Sequence, residues 1–157
     1  MQPSTSYTVI VGAGGAYKGG DSSFYTITSE GGGQGKTNFN ENGDGGSGGG
    51  AAAVYAGGLG TANQGFNGGC CGCTSTPSGG GGAASVGENG CTDGTYYGGD
   101  GGLVLTSSIT GTAVLYSTGA GAPGRASGQP GVPSTAGPAN TGQGGYPQTT
   151  GGGSGIV

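Results

Sequence analysis

The sequence predicts a mostly irregular and β fold: a bundle of polyglycine II helices with a few short β-strands and no α-helix. Three observations point there. First, 47 of the 157 residues are glycine, and many recur at every third position. Gly12 and Gly15; Gly43, Gly46 and Gly49; Gly57 and Gly60; Gly65 and Gly68; Gly79 and Gly82; Gly87 and Gly90; Gly98 and Gly101; Gly128 and Gly131; and Gly142 and Gly145 all fit G-x-x-G. A polyproline II-type helix has three residues per turn, so this period leaves one bare edge on which another backbone can lie close. Second, Leu, Ile, Val and Phe together number only 19, about 12% of the chain where a globular core usually accompanies 20% or more. Third, charged residues are 6%, too few for self-repulsion to hold the chain open as it does in most disordered segments.

Glycine and proline together make up about a third of the chain, a proportion that on composition alone signals low complexity. The regular spacing is not that of a Gly/Ser linker, and the apolar residues are clustered. An ordered chain of this kind must still pair its backbone N–H and C=O groups. Extended helices have no internal hydrogen bonds, so their amides can point sideways into neighbours. Cα–H···O contacts, each worth about 0.5–1 kcal/mol, add to this where bare edges meet.

The elements follow in chain order. Residues 6–11, Ser-Tyr-Thr-Val-Ile-Val, have the branched and aromatic content of a strand, ended by Gly12-Ala-Gly-Gly-Ala. Residues 23–28, Ser-Phe-Tyr-Thr-Ile-Thr, predict a second strand with Phe24 or Tyr25 facing inward. Residues 31–102 form the polyglycine II body. Ala51-Ala-Ala-Val-Tyr-Ala is its short apolar patch, and Leu59, Phe66 and Val86 are isolated plugs between helices. Leu103-Val-Leu and Ala113-Val-Leu-Tyr flank Ser107–Thr112 and predict a strand pair over 103–118. Residues 119–157 form a Gly/Pro-rich tail whose Pro123, Pro130, Pro133 and Pro138 favour extended, PPII-like backbone. The whole is one domain, 1–157, with 1–30 as its strand-bearing lead. Ile156-Val157 read as the start of a strand that a partner or a larger protein continues.

Several function classes are disfavoured. The formal net charge is −4, and Lys18, Lys36 and Arg125 are the only basic side chains, so few phosphates could be neutralised and nucleic acid is not an expected partner. An anionic membrane surface is disfavoured for the same reason. No apolar run approaches the ~20 residues of a membrane span, and Met1-Gln-Pro-Ser4 leads into a polar stretch rather than a signal peptide. Histidine is absent, which removes the usual Ser/His and Cys/His dyads. Gly31-Gly-Gly-Gln-Gly-Lys36-Thr37 lacks the strand-to-helix context and full spacing of a phosphate loop. No enzyme activity, cofactor or metal is expected.

Three stretches carry a family likeness. They are Tyr7-Thr-Val-Ile-Val-Gly-Ala-Gly-Gly-Ala16 with the glycine body behind it, Ser107-Ser-Ile-Thr-Gly-Thr-Ala-Val-Leu-Tyr-Ser117 ahead of a glycine-rich run, and Gly152-Gly-Ser-Gly-Ile-Val157. Together they resemble the glycine-rich domain of bacteriophage tail fibre and minor tail proteins. The resemblance implies a place in the virion, on the phage tail, and action at the host cell surface. It also implies a likeness to tail-tip adhesins, in which a sandwich of polyglycine II helices is the platform and the joining loops carry receptor specificity. Expected partners are a bacterial surface glycan or outer-membrane protein, other tail subunits and further copies of the chain.

Exposed aromatics are the best binding signal. Tyr17-Lys18, Tyr96-Tyr97 and Tyr146 interrupt glycine tracts where loops are expected. Tyrosine offers a rigid face with a hydroxyl at low entropic cost, suited to sugars and protein surfaces alike. Phe39 and Phe66 fit better as gap fillers. Cys70, Cys71, Cys73 and Cys91 are disulfide candidates, and four cysteines allow three connectivities. A bridge from Cys91 to Cys73 or Cys70 would staple a fold with a meagre core. Free thiols are the alternative, and a four-thiolate metal site fits poorly because neighbouring cysteines rarely share one ion. The acidic-glycine runs Glu41-Asn-Gly-Asp44 and Asp93-Gly with Asp100-Gly lack a fixed period and read as turns rather than calcium loops. The leading expectation is a non-enzymatic, receptor-binding structural domain. A self-assembling tail or filament subunit comes second and an ice-binding polyglycine II protein third.

Overall fold

The computed structural model describes residues 4–38, 40–52, 55–70, 76–90, 98–109, 111–116 and 119. Among them there is no helix, and five short strands form two antiparallel sheets. The first sheet has the order β1 (Val9–Ile10), β2 (Ser22–Phe24), β3 (Ile27–Ser29), with Val9 opposite Phe24 and Ser23 opposite Thr28. The second pairs β4 (Leu105–Ser107) with β5 (Val114–Tyr116), Thr106 opposite Leu115.

The single strand expected over 23–28 is instead a hairpin. Tyr25 turns the chain with φ 56°, a left-handed conformation that costs a non-glycine residue about 1–3 kcal/mol. Aromatic contacts offset this: the Tyr7 ring meets Tyr25 edge-on at 5.1 Å between centroids and Phe24 at 6.0 Å. Tyr25 is exposed and Phe24 half-buried, so of the two Phe24 lies further in. The buried Ser22 hydroxyl accepts the Gly12 N–H at 2.9 Å and ties this hairpin to the glycine segments.

The body is built from extended segments that hydrogen-bond sideways in several directions at once. Segment 47–52 shows this best. Gly33 N–H donates to Ser47 O at 2.8 Å and Lys36 N–H to Gly50 O at 2.8 Å, fixing segment 31–36 on one side. Gly49 N–H reaches Gly43 O at 2.9 Å, in the stretch just before. Gly58 N–H donates to Gly49 O, Gly48 N–H to Phe66 O, and Gly81 N–H to Gly48 O. Segment 47–52 therefore bonds to segments 31–36, 43–46, 57–61, 65–70 and 76–82, whereas a strand in a flat sheet bonds to two neighbours at most. Segment 76–82 is similar: besides 47–52 it bonds to 65–70 (Gly69 N–H to Gly79 O), 87–90 (Gly79 N–H to Glu88 O) and 98–103 (Gly102 N–H to Gly80 O).

The pairings also fix direction. Gly69 meets Gly79 and Phe66 meets Gly82, so segments 65–70 and 76–82 run opposite ways. Asn67 meets Gly87 and Cys70 meets Gly90, so 65–70 and 87–90 run the same way. The parallel bridges Lys36 with Ala51 and Gly45 with Gly60 fit this alternation.

Closeness explains the glycines. A Cβ built at Gly49 would fall on the Gln34 carbonyl, at Gly58 on the Gly43 carbonyl and at Gly79 on the Asp100 carbonyl, all nearer than the 3.0 Å limit that real Cβ atoms respect. Only Gly111, φ +90°, takes a left-handed conformation among the described glycines. Main-chain approach, not conformational freedom, is what these positions require.

The same closeness corrects the expected plugs. Leu59, Phe66 and Val86 are exposed, Phe66 at 43%, because backbones this near leave no gap for a large side chain. Among the described residues the buried side chains are small: Ala51, Thr76 and Ser78, with Ser22 at the margin. Ser78 serves three segments. Its hydroxyl accepts the Ala51 N–H at 2.8 Å and donates to Gly69 O at 2.6 Å.

Two tests follow from this packing. Gly49→Ala and Gly79→Ala each lower unfolding stability by about 1–3 kcal/mol through overpacking, whereas Gly32→Ala, whose Cβ would meet nothing within 4 Å, is neutral or slightly stabilising; denaturant titration compares them. Ser78→Ala removes the hydroxyl that links Ala51 N–H to Gly69 O in the buried interior and costs about 1–3 kcal/mol in the same titration.

Candidate functional site

The alternation of the segments gives the bundle two unlike ends. Lys36 lies beside Ala51, Ser78 N–H bonds Ala51 O, Gly90 N–H bonds Cys70 O, and Gly99 N–H bonds Pro77 O. These pairings put Lys36, Ala51, Cys70, Pro77, Gly90 and Gly99 at one level. Here the chain leaves after Lys36, Ala52, Cys70 and Gly90, and returns at Gly43, Gly57, Thr76 and Gly98. At the other end Gly46 bonds Gly31, Gly45 meets Gly60, Phe66 bonds Gly82, and Ala84 bonds Leu103. Chain reversals there are tight, as at Gly46-Ser47 and Ser85, where Gly82 N–H donates to Ser85 O at 3.0 Å.

The longer connections therefore gather at the first end. Pro77 suits its place there, because its fixed φ is already extended and its missing N–H leaves only a carbonyl to be used. One such connection is described in most of its length. In it Glu41 folds back on Thr37 and Asn38: its carboxylate accepts the Thr37 N–H, the Thr37 hydroxyl at 3.0 Å and the Asn38 N–H at 3.1 Å. The Thr37 amide is the main cause holding the Glu41 carboxyl below its ordinary value, aided by the Thr37 hydroxyl and Asn38 and opposed by slight burial.

Tyr17 stands on the connection between the first two glycine segments and is 73% exposed. Gly19 lies level with Gly32, since its N–H bonds Gly32 O at 2.9 Å, one residue from Gly31 at the tight-turn end, so Tyr17 stands on the side of the bundle rather than among the longer connections. Lys18 beside it reaches Glu30, Nζ to Oε2 3.1 Å. Both side chains are well hydrated, so the pair adds at most about 1 kcal/mol. Cys70 carries a free, exposed thiol at the loop-bearing end, and its N–H donates to Asn89 Oδ1 at 2.7 Å. Tyr96, Tyr97, Tyr146, Phe39, Cys71, Cys73 and Cys91 lie outside the described residues.

Polar side chains hold the margins of the network, a role the residue pattern did not reveal. Where a segment lacks a neighbour, a carboxylate or amide takes the N–H instead. Asp21 accepts from Gly31, Asp44 from Leu59, Asn67 from Gly60, and Gln64 from Glu30. The first acidic-glycine run thus places Asp44 on a backbone amide, and outside those runs Glu88 accepts the Asp100 N–H. Among the described residues no group of three His, Cys, Asp or Glu is placed to hold a metal ion. No helix among them is long and apolar enough to cross a membrane.

Compared with protein-family models, curated proteins and solved structures, the chain matches none.

Glu41 supplies a pH test. Its carboxyl is lowered in the folded chain, so its contribution to stability is complete above the unfolded value near 4.5 and fades as pH falls through the folded value. Glu41→Gln is expected to be less stable than the parent at pH 7, with the gap in denaturation midpoint closing as the buffer is made acidic.

Proposed function

We propose that the extended segments are polyglycine II helices and that their bundle is the stiff platform of a bacteriophage tail fibre or tail-tip domain. Its loop-bearing end contacts the host surface. The observation that carries the architectural part is the lateral bonding of segment 47–52 to five neighbouring segments. Three residues per turn point successive amides in three directions, which is what such a many-sided network demands. The burial of glycine backbone in place of apolar side chains supports the same reading.

The functional part rests on the tail-protein resemblance and on the unequal ends. Loops collected on one side of a rigid scaffold are the usual arrangement of a binding surface. Tyr17 stands exposed on the side of the same bundle, and charged residues make up only 6% of the chain. Recognition would then be aromatic and hydrogen-bonding, directed at a bacterial surface glycan or an outer-membrane protein. No catalytic step is invoked.

A second reading, a structural subunit assembling with itself or with other tail proteins, is favoured by a separate observation. Leu59, Phe66, Val86 and Leu103 are all exposed at or near the tight-turn end, and Leu105, Ile109 and Leu115 are exposed in and beside the β4–β5 pair. Exposed apolar area of this kind marks interaction sites.

Binding of the purified chain to a panel of bacterial cells and immobilised surface glycans distinguishes the two. Saturable binding to a subset, weakened about fivefold or more by Tyr17→Ala as expected of an aromatic anchor, supports the adhesin. No binding to any surface, together with concentration-dependent self-association in sedimentation, replaces it with the structural subunit.

A further inference from the structure

Asparagine precedes glycine three times in this chain, at Asn42–Gly43, Asn67–Gly68 and Asn89–Gly90. Each pair has the same chemical potential for self-modification. The glycine nitrogen attacks the asparagine Cγ and a C–N bond forms. The Cγ–Nδ2 bond breaks, and ammonia leaves with the proton released from the glycine amide. The five-membered imide is then opened by water at either carbonyl, giving aspartate or isoaspartate. Only water is consumed and nothing is oxidised. Glycine favours the attack because no Cβ shields its nitrogen.

The fold separates the three sites. Asn67 Oδ1 accepts the Gly60 N–H at 2.9 Å, and the Gly68 nitrogen that would attack donates to Gly58 O at 2.9 Å. Asn89 Oδ1 accepts the Cys70 N–H at 2.7 Å, and the Gly90 nitrogen donates to Cys70 O at 3.2 Å. At both, electrophile and nucleophile are held by neighbouring segments, and two bonds between segments must break before they can meet. Asn42 differs. Its Oδ1 accepts only the local Asp44 N–H, at 3.0 Å, and the Gly43 N–H makes no hydrogen bond among the described residues. That local bond polarises the Asn42 carbonyl and keeps it close to the backbone stretch that contains the nucleophile. Asn42 is also exposed, so water reaches it.

We propose that Asn42–Gly43 is a site of spontaneous succinimide formation in the folded protein, and that the network protects Asn67–Gly68 and Asn89–Gly90. The product matters locally. A new carboxylate at residue 42 stands two residues from Asp44, whose Oδ1 holds the Leu59 N–H at 2.7 Å. The isoaspartyl form adds a methylene to the main chain beside Gly43, whose carbonyl holds the Gly49 N–H. Modification therefore adds negative charge and loosens the connection after Lys36, at the loop-bearing end. The inference stands apart from the tail-protein reading.

The test incubates the purified full chain at mildly alkaline pH, in native buffer and in urea, and follows each Asn–Gly peptide by mass spectrometry. In native buffer Asn42 is expected to convert about tenfold faster or more than Asn67 and Asn89, as the loss of two hydrogen bonds at each protected site implies. In urea the three rates are expected to converge, and Asn42→Gln should remove the isoaspartyl product from its peptide. Comparable rates in native buffer, fastest conversion at Asn67 or Asn89, or an Asn42 lead that persists unchanged in urea would each overturn the proposal.

Discussion

Everything in this molecule depends on how near one main chain comes to another. Ordinary domains separate their backbones by interlocked side chains and gain stability from the apolar area those side chains bury. Here carbonyls of neighbouring segments occupy the volume where Cβ atoms would stand, as Gln34 does at Gly49 and Asp100 does at Gly79. Each hydrogen bond so formed contributes a net ~0.5–1.5 kcal/mol, while ordering each residue costs ~1–2 kcal/mol of backbone entropy. The margin between those terms is narrow. Bonding in several directions is what allows one ordered segment to serve many others, and the central segments 47–52 and 76–82 do this.

The network has edges, and the edges are where residue identity matters. An amide facing outward would be left to water; Asp21, Asp44, Asn67, Asn89 and Gln64 take such amides instead. The same device appears in buried form at Ser22 and Ser78. The short sheets at either side use conventional means, such as the Tyr7–Tyr25 ring contact and the β4–β5 ladder. Two kinds of order coexist, one read by side chains and one by their absence.

Legibility in the sequence follows that division. Runs of branched residues announced Val9–Ile10 and the pairing of Leu105–Ser107 with Val114–Tyr116, since side-chain preference governs strands. The hairpin at Tyr25 carried no Gly, Asn or Pro signal and depends on rings that meet only in three dimensions. Glycine spacing pointed to lateral packing but left its phase ambiguous wherever glycines are doubled. Gly98 and Gly101 fit the period, yet Gly99 and Gly102 are the buried pair. Leu59, Phe66 and Val86 were misread because apolarity implies burial only where there is room. Amide caps such as Asn67 on Gly60 escaped notice, for nothing in composition tells which segment a polar residue will flank. At the candidate site Tyr17 was legible as an aromatic amid glycine, while the Glu41 clasp on Thr37 was not.

The alternating course of the segments has one more consequence. Each out-and-back pair returns the chain to the end from which it set out. An up–down unit can therefore be duplicated or deleted without inverting its neighbours, and every such event adds or removes one long connection on the same side. Architectures of this type can change the breadth of their decorated end by whole modules while the rest keeps its registration. Variation is thereby steered to one pole of the bundle, with the opposite pole left unchanged.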